Sequence, residues 1–174
     1  MDLSIFDVVG PVMIGPSSSH TAGAARLAFV ARQIAGEFTR VSFGLHGSFA
    51  RTYRGHGTDR ALVAGALGLS PQDERLRTSF DIAKERGLQY DFYLTELPDA
   101  HENSVKMTFT HPDGSTLDVV GASLGGGRIL ITRIGEYAAE ITADAPTLVI
   151  AHQDKRGMVS TVTHILASNG LNIG

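Results

Sequence analysis

The sequence predicts an α+β fold in which helices pack on a mixed or antiparallel sheet. Segments with helical character fill most of the chain up to residue 86, and adjacent segments with alternating apolar residues follow between residues 88 and 134. With 174 residues, the chain can bury one full core, and a second only if one domain is small or incomplete. Helices first and neighbouring strands later are typical of an α+β layer.

Three segments predict helices because they place apolar residues at helical spacing, form alanine-rich runs or begin with capping residues. The first ends before Gly36, a typical helix stop, and the third begins at Pro71, followed by two acidic residues within three positions. The predicted helices cover residues 21–35, 59–69 and 71–86.

Strands are predicted where apolar and polar residues alternate. The first of these segments ends at a glycine–serine turn, Gly47 and Ser48. A turn sequence suited to a hairpin, residues 111–114, separates the third segment from the fourth. The predicted strands cover residues 40–49, 88–94, 104–110, 115–120 and 128–134.

The C-terminal segment, residues 146–174, follows a short polar stretch at residues 140–146 that predicts a linker. It contains a predicted strand at residues 147–151, a predicted helix at residues 157–168 and the start of another strand. One strand and one helix cannot bury their own apolar face. We therefore expect this segment to dock on the main domain, pair with another chain or be disordered.

Composition excludes several classes of function. The formal net charge is −3 and the charges of both signs are scattered, so there is no basic stripe for nucleic acid or an anionic membrane. There is no long apolar run and no secretory signal at the N-terminus, which predicts a soluble, cytoplasmic protein. Because the chain has no cysteine, it forms no disulfide and offers no thiolate to an iron–sulfur cluster.

A run of hydroxyl side chains precedes the first predicted helix. A helix start attracts anions through its dipole and its free N–H groups, and added hydroxyls can bind a carboxylate or phosphate. Helix capping is the alternative interpretation, although a single serine would suffice for a cap. His20 lies within this run, where it is placed to act as an acid, a base or a hydrogen-bond donor. The hydroxyl cluster comprises Ser17, Ser18, Ser19 and Thr21.

Three further stretches carry polar groups suited to a site. His56 lies between two glycines, which leaves its ring open to a ligand, and Thr58 or Asp59 can cap the following helix. The polar loop, residues 98–104, contains His101, although its composition alone favours a plain loop. Residues 121–128, rich in glycine, could wrap an anion but do not open a helix as a nucleotide-binding fingerprint does.

Together these stretches form a family pattern. "GPSSSHTAG", "GSFARTYRGHGTDRAL", "HENS" and "GASLGGGRI", in this order over residues 15–129, resemble the beta chain of bacterial iron–sulfur L-serine dehydratase. The resemblance implies a beta domain at residues 1–145, similar in fold to the allosteric substrate-binding domain of some phosphoglycerate dehydrogenases. It also implies that residues 146–174 are the incomplete start of a ferredoxin-like ACT domain, with Asp154 and Gly157 in its ligand loop.

The resemblance implies the elimination of water from L-serine to give pyruvate and ammonia, a step of amino-acid degradation that feeds gluconeogenesis. A [4Fe-4S] cluster on a separate alpha chain would polarise the hydroxyl as a Lewis acid, so this chain would contain no metal ligand. His20 and His56 are then the candidate proton-handling groups, and the sequence does not rank them. The candidate substrate-binding residues are Ser17, Ser18, Ser19, Thr21, Ser48, Thr58, Asp59, His101 and Asn103.

A non-catalytic module that senses serine or another small acid is the competing interpretation. The hydroxyl cluster suits both functions. His56, framed by glycines, favours an enzyme, and the absence of cysteine means that a partner would complete the site. The partners expected are therefore the alpha chain, L-serine and a second copy of this chain, paired through the sheet or the C-terminal segment.

Overall fold

The computed structural model describes residues 14–172. A π-helical turn, Ser18–Gly23, leads into the first α-helix, and a 3-10 turn, Glu74–Thr78, leads into the fourth. The α-helices are α1 (Ala24–Ala35), α2 (Gly47–Thr52), α3 (Thr58–Ala66), α4 (Ser79–Glu85) and α5 (Met158–Ser168). The strands are β1 (Arg40–Leu45), β2 (Gln89–Leu94), β3 (Ser104–Thr110), β4 (Thr116–Gly125), β5 (Arg128–Ile134) and β6 (Tyr137–Ile141).

The six strands form one open sheet in the order β2-β1-β3-β4-β5-β6. The β1–β2 pair is parallel and every other pair is antiparallel, so the sheet is mixed, as predicted. Residues that face the helices alternate along the strands and are fully buried, as the pleat requires. They include Val41, Phe43, Leu45, Val105, Met107, Phe109, Val119, Ile129 and Ile131.

Helices α1 and α3 pack closely against each other and cover this face of the sheet. Their contact surfaces consist largely of small residues, so the two backbones approach closely. A side chain at Gly65 on α3 would collide with the backbone of Ala25 on α1. Because these helices lie on a mixed sheet, the α+β prediction is confirmed.

Among residues 14–172, no helix has the length and apolar character that crossing a membrane requires.

One predicted strand is wrong beyond residue 45. The segment expected to extend to residue 49 turns at Gly47 and continues as α2. Gly47 adopts a φ of 56°, and a Cβ atom there would lie 2.5 Å from the carbonyl oxygen of Glu102. The chain reverses at this contact, because the Ser48 N–H donates to the same carbonyl at 2.6 Å. The alternation of residues 40–49 could not reveal this contact, since it is made by a distant loop.

The C-terminal predictions need two corrections. The predicted linker at residues 140–146 begins inside β6, because Glu140 and Ile141 extend the strand that pairs with β5. The predicted strand at residues 147–151 forms no ladder within the described part of the chain, and a strand requires a partner for its backbone groups. The predicted helix is confirmed as α5, whereas the start of the last predicted strand extends to residues 173–174, outside the described residues.

Three segments meet at one edge of the sheet. Strand β1 ends at Leu45, and β3, which runs in the opposite direction, begins there at Ser104. Strand β4 reaches the same edge at Ala122, which pairs with Ser104. The hydroxyl cluster, the start of α2 and the polar loop therefore lie next to each other, although they are separated in the sequence.

Candidate functional site

The imidazole of His20 is hydrogen-bonded on both sides by serines. Ser19 Oγ lies 3.1 Å from Nδ1 and Ser48 Oγ lies 3.1 Å from Nε2. Ser17 is the cap of the π-helical turn, since its hydroxyl accepts a hydrogen bond from the His20 N–H at 3.1 Å. Two segments of the chain, the hydroxyl cluster and the start of α2, thus fix one ring.

A buried aromatic ring, that of Phe49, packs against the His20 imidazole. Phe49 follows Ser48 on α2, is fully buried and contacts the His20 ring edge-on, with the ring centroids 5.2 Å apart. Helix α2 is itself anchored by the polar loop through the bond from the Ser48 N–H to the Glu102 carbonyl. The position of the His20 ring therefore depends on the local turn and on the packing of α2.

His56 lies beside His20, with the two ring centroids 5.0 Å apart. Its backbone carbonyl accepts a hydrogen bond from Thr21 Oγ1 at 3.0 Å, which ties the loop to the hydroxyl cluster. His56 Nδ1 lies 3.3 Å from the carbonyl oxygen of Thr52, and because a carbonyl can only accept, Nδ1 is the donor. The Nε2 atom of the neutral ring then carries a lone pair, and it makes no hydrogen bond with any residue from 14 to 172.

Electrostatics favour the neutral form of His20. Burial lowers the pKa of His20, and the neighbouring His56 lowers it further, while the carboxylate of Glu102 acts in the opposite direction. Glu102 is itself paired with Arg51, at 3.4 Å between exposed side chains. Near neutral pH, His20 is therefore an uncharged hydrogen-bonding group.

Two buried polar atoms next to this cluster make no hydrogen bond to the described residues: Thr58 Oγ1 and Asn103 Oδ1. An unpaired buried polar atom is costly, so it marks a place where a ligand or water can bind. Asp59 is half-buried and its carboxylate accepts from the Arg60 N–H at 2.8 Å. Burial raises the pKa of Asp59 above its usual value.

Three of the predicted site residues lie away from this cluster. The His101 side chain is exposed, and its Nδ1 atom accepts from the Asn103 N–H at 3.1 Å. His101 lines a cavity of about 470 Å³ with Leu97, Ala122 and Leu130. This cavity lies on the sheet face opposite the helices. Asp154 and Gly157 are exposed in the C-terminal segment, and no hydrogen bond among residues 14–172 joins them to His20 or His56.

Six of the predicted residues do come together, in the hydroxyl cluster, at the start of α2 and at His56. Ser17, Ser19, His20 and Ser48 form one hydrogen-bonded network, and Thr21 links it to His56. Sequence reasoning missed Phe49 and Glu102, which lie in quoted motifs but carry no chemical signal of their own. It also missed Ser123, whose hydroxyl donates to the carbonyl of Ser19 at 2.9 Å.

The residues of this chain do not fit an iron–sulfur cluster. The sequence contains no cysteine, and residues 14–172 hold no group of three or more histidine, aspartate or glutamate side chains arranged to bind a metal ion. The backbone of the glycine-rich stretch at residues 121–128 belongs to β4 and to the hairpin that leads into β5, with positive φ at Gly125, Gly126 and Gly127.

Comparison with known proteins agrees with the family resemblance of the sequence motifs. The family model described as serine dehydratase beta chain matches residues 4–86. The chain is 48% identical to the L-serine dehydratase beta chain of Peptoniphilus asaccharolyticus, over 99% of this chain and 78% of that protein. It is 42% identical to the probable L-serine dehydratase beta chain of Bacillus subtilis, over 98% of this chain and 78% of that protein.

A relative with lower identity is longer than this chain. L-serine dehydratase 1 of Escherichia coli is 30% identical over 74% of this chain, which corresponds to 33% of that protein. The two beta chains, by contrast, align through nearly all of this chain. On this similarity, the chain belongs to the family of L-serine dehydratase beta chains.

Proposed function

We propose that this chain is the beta subunit of a cytoplasmic L-serine dehydratase, which converts L-serine to pyruvate and ammonia together with an alpha chain. The observation that carries the proposal is His20, held between Ser19 and Ser48 with the His56 ring beside it. The names of the two similar beta chains support the reaction and the existence of a partner. Because this chain does not fit the [4Fe-4S] cluster, we assign the cluster to the alpha chain and derive no step through it.

The hydroxyl cluster binds the carboxylate of the substrate in this proposal. The Ser18 side chain makes no hydrogen bond to another described residue, so its hydroxyl is available to a ligand, whereas Ser17 and Ser19 are engaged with His20. The start of the π-helical turn adds free N–H groups and a favourable dipole. The buried Asn103 Oδ1 atom is a further acceptor, which suits the ammonium group of an amino acid.

His56 is the proton acceptor in this proposal, because its Nε2 atom carries a free lone pair. It takes the α-proton of serine, the C–H electron pair forms the double bond, and the bond to the β-hydroxyl breaks. The leaving hydroxyl takes up one proton to become water, and the His56 imidazolium gives its proton back, directly or through solvent, so that the base is neutral again. The enamine then tautomerises and hydrolyses to pyruvate and ammonia. Neutral His20 does not repel the imidazolium that forms at His56, and it keeps the two serines in place.

The second candidate function is a binding module that senses serine or another small acid without chemistry. Its support is that the hydrogen bond from the His20 N–H to Ser17 Oγ already caps the helix start, and a capped helix start can bind an anion without a base. Turnover kinetics of the assembled protein separate the two functions.

Substitution of two neighbouring serines separates substrate binding from capping. We expect Ser18→Ala in the assembled enzyme to raise KM by about ten- to a hundredfold with little change in kcat, because one hydrogen bond to a charged group is worth roughly 1.5–3 kcal/mol. Ser17→Ala removes the cap, and it should lower the free energy of unfolding by about 1 kcal/mol. Steady-state kinetics and thermal melting measure both effects.

Ser70→Ala is the matched control, because Ser70 is exposed and lies outside the cluster. This variant should match the wild type in both measurements. Unchanged kinetics for Ser18→Ala, together with a lowered melting temperature for Ser17→Ala, would show that the hydroxyl cluster only caps the helix.

We propose that residues 1–145 form the beta domain and that residues 146–174 begin an ACT domain, with Asp154 and Gly157 in its ligand loop. Several large apolar residues of the C-terminal segment are exposed: Leu148, Val149, Ile150, Val159 and Ile165. A surface of this kind marks an interaction site. A second copy can cover it with the same surface, which is the usual geometry of a homodimer.

The oligomeric state tests this surface. We expect light scattering to show a dimer for the wild-type chain, and Ile165→Lys to shift the population to monomers, because an unpaired charge would be placed in the apolar contact. Ser160→Lys, an exposed polar position on α5, is the control and should remain dimeric. A wild-type chain that is monomeric at all concentrations contradicts the proposal.

A further inference from the structure

Ser123 on β4 is a fully buried polar residue to which the proposed reaction gives no role. It lies at the sheet edge where the hydroxyl cluster and the polar loop meet. A buried hydroxyl requires hydrogen-bond partners, so its neighbours indicate what it does in the fold.

Both polar groups of Ser123 are bonded to segments of the candidate site. Its hydroxyl donates to the carbonyl oxygen of Ser19 at 2.9 Å, and its backbone N–H donates to the carbonyl oxygen of Asn103 at 3.0 Å. One residue thus joins the turn that carries His20 to the loop that carries Asn103. These two segments are about 80 residues apart in the sequence.

The π-helical turn is shaped around this serine. A Cβ atom at Gly23 would collide with Ser123 Oγ, so only glycine lets the turn lie directly on the serine side chain. Short π-helical segments are rare and are frequently found at functional sites. A side chain that bonds to a helix carbonyl is one of the known causes of such a local distortion.

We propose that Ser123 is a positioning residue that holds the π-helical turn in the geometry in which Ser19 and Ser48 bond to His20. The hydroxyl acts through the Ser19 carbonyl and not on the substrate. The kinetic part of this inference rests on the proposed dehydratase function, whereas its structural part, the environment of His20, does not.

The test compares Ser123→Ala with Ser79→Ala. Ser79 is the matched control because it is also fully buried and its hydroxyl donates to a backbone carbonyl, that of Arg60 at 2.8 Å, away from the site. Both variants lose one buried hydrogen bond, so both should lose similar stability. Ser123→Cys is a second variant that keeps the bulk of the side chain but is a weaker donor.

The first readout is an NMR titration of His20 in the full chain, which needs no enzymatic activity. We expect Ser123→Ala to raise the pKa of His20 towards its ordinary value of 6.5, because the released turn exposes the ring to water. His56, Glu102 and Arg51 are the other titratable groups near the ring and are present in every variant. Ser79→Ala should titrate like the wild type, and Ser123→Cys should show a smaller shift than Ser123→Ala.

The second readout is turnover in the enzyme assembled with the alpha chain. We expect kcat/KM to fall by about 5- to 100-fold for Ser123→Ala, the range expected when one buried partner is lost, and to stay unchanged for Ser79→Ala. A His20 titration identical in wild type and Ser123→Ala would overturn the inference. If the assembled wild-type protein makes no pyruvate, the proposed function fails, and the titration alone decides the role of Ser123.

Discussion

Purified alone, this chain is expected to be colourless, to contain no stoichiometric iron or sulfide and to form no pyruvate from L-serine. The physical reason is the donor set: cluster irons are held by thiolates, and the sequence contains no cysteine. The described residues also lack a group of side chains that could bind another metal ion. The expected effect is the complete loss of an activity that appears when the alpha chain is present.

This prediction is tested by iron and sulfide analysis, an absorption spectrum and a pyruvate assay, all under anaerobic conditions. The alpha chain purified in the same way is the control, and it should carry the cluster. A brown protein with bound iron and sulfide, obtained from this chain alone, would contradict the assignment of the cluster to the partner.

Replacement of either histidine is expected to have the largest effect of any single substitution. In the assembled enzyme, His56→Ala should lower kcat by roughly a hundred- to ten-thousandfold, the usual contribution of a positioned proton-transfer group. His20→Ala should also lower kcat, because it removes the ring that Ser19 and Ser48 hold beside His56. KM should change less than kcat, since a proton-transfer group acts as the bond breaks.

His111→Ala is the matched control for both substitutions. His111 is a histidine of the β3–β4 turn, partly exposed, whose Nδ1 atom lies 2.7 Å from the carbonyl oxygen of Glu37. It should leave kcat unchanged. Added imidazole should restore part of the rate of His56→Ala, because His56 is exposed and a free base can enter its place. Wild-type kcat in His56→Ala would remove this residue from the mechanism.

The sequence predicted the elements that are determined by local pattern. Helix α1 and strands β3 and β5 follow from apolar periodicity, which is a property of the segment itself. The turn at Gly47 depends on a contact with a distant residue, because it forms against Glu102. Strand β6 pairs with β5 across a short turn, and the sequence analysis did not predict it. Residues 147–151 have the composition of a strand, but no neighbouring strand pairs with them among the described residues.

The candidate site could be predicted only where the local sequence carries a signal. The hydroxyl cluster and His56 carry an unusual local composition, so their residue types identified them. The sequence could not rank the two histidines, because the difference lies in their partners: both ring nitrogens of His20 are bonded to serines, whereas Nε2 of His56 is bonded to none of the residues 14–172. Ser123 carries no signal of its own, since only the meeting of β4 with the π-helical turn gives it a role.

Reconstitution tests the central claim most directly. This chain and the alpha chain of the same organism are co-expressed and purified together under anaerobic conditions, and pyruvate formation from L-serine is measured with wild-type chain and with His56→Ala. We predict pyruvate from the wild-type pair, none from either chain alone, and a rate from the His56→Ala pair that is lower by at least about a hundredfold. Equal rates from the wild-type and His56→Ala pairs, or full activity of the alpha chain by itself, would contradict the proposal that this chain completes the dehydratase site.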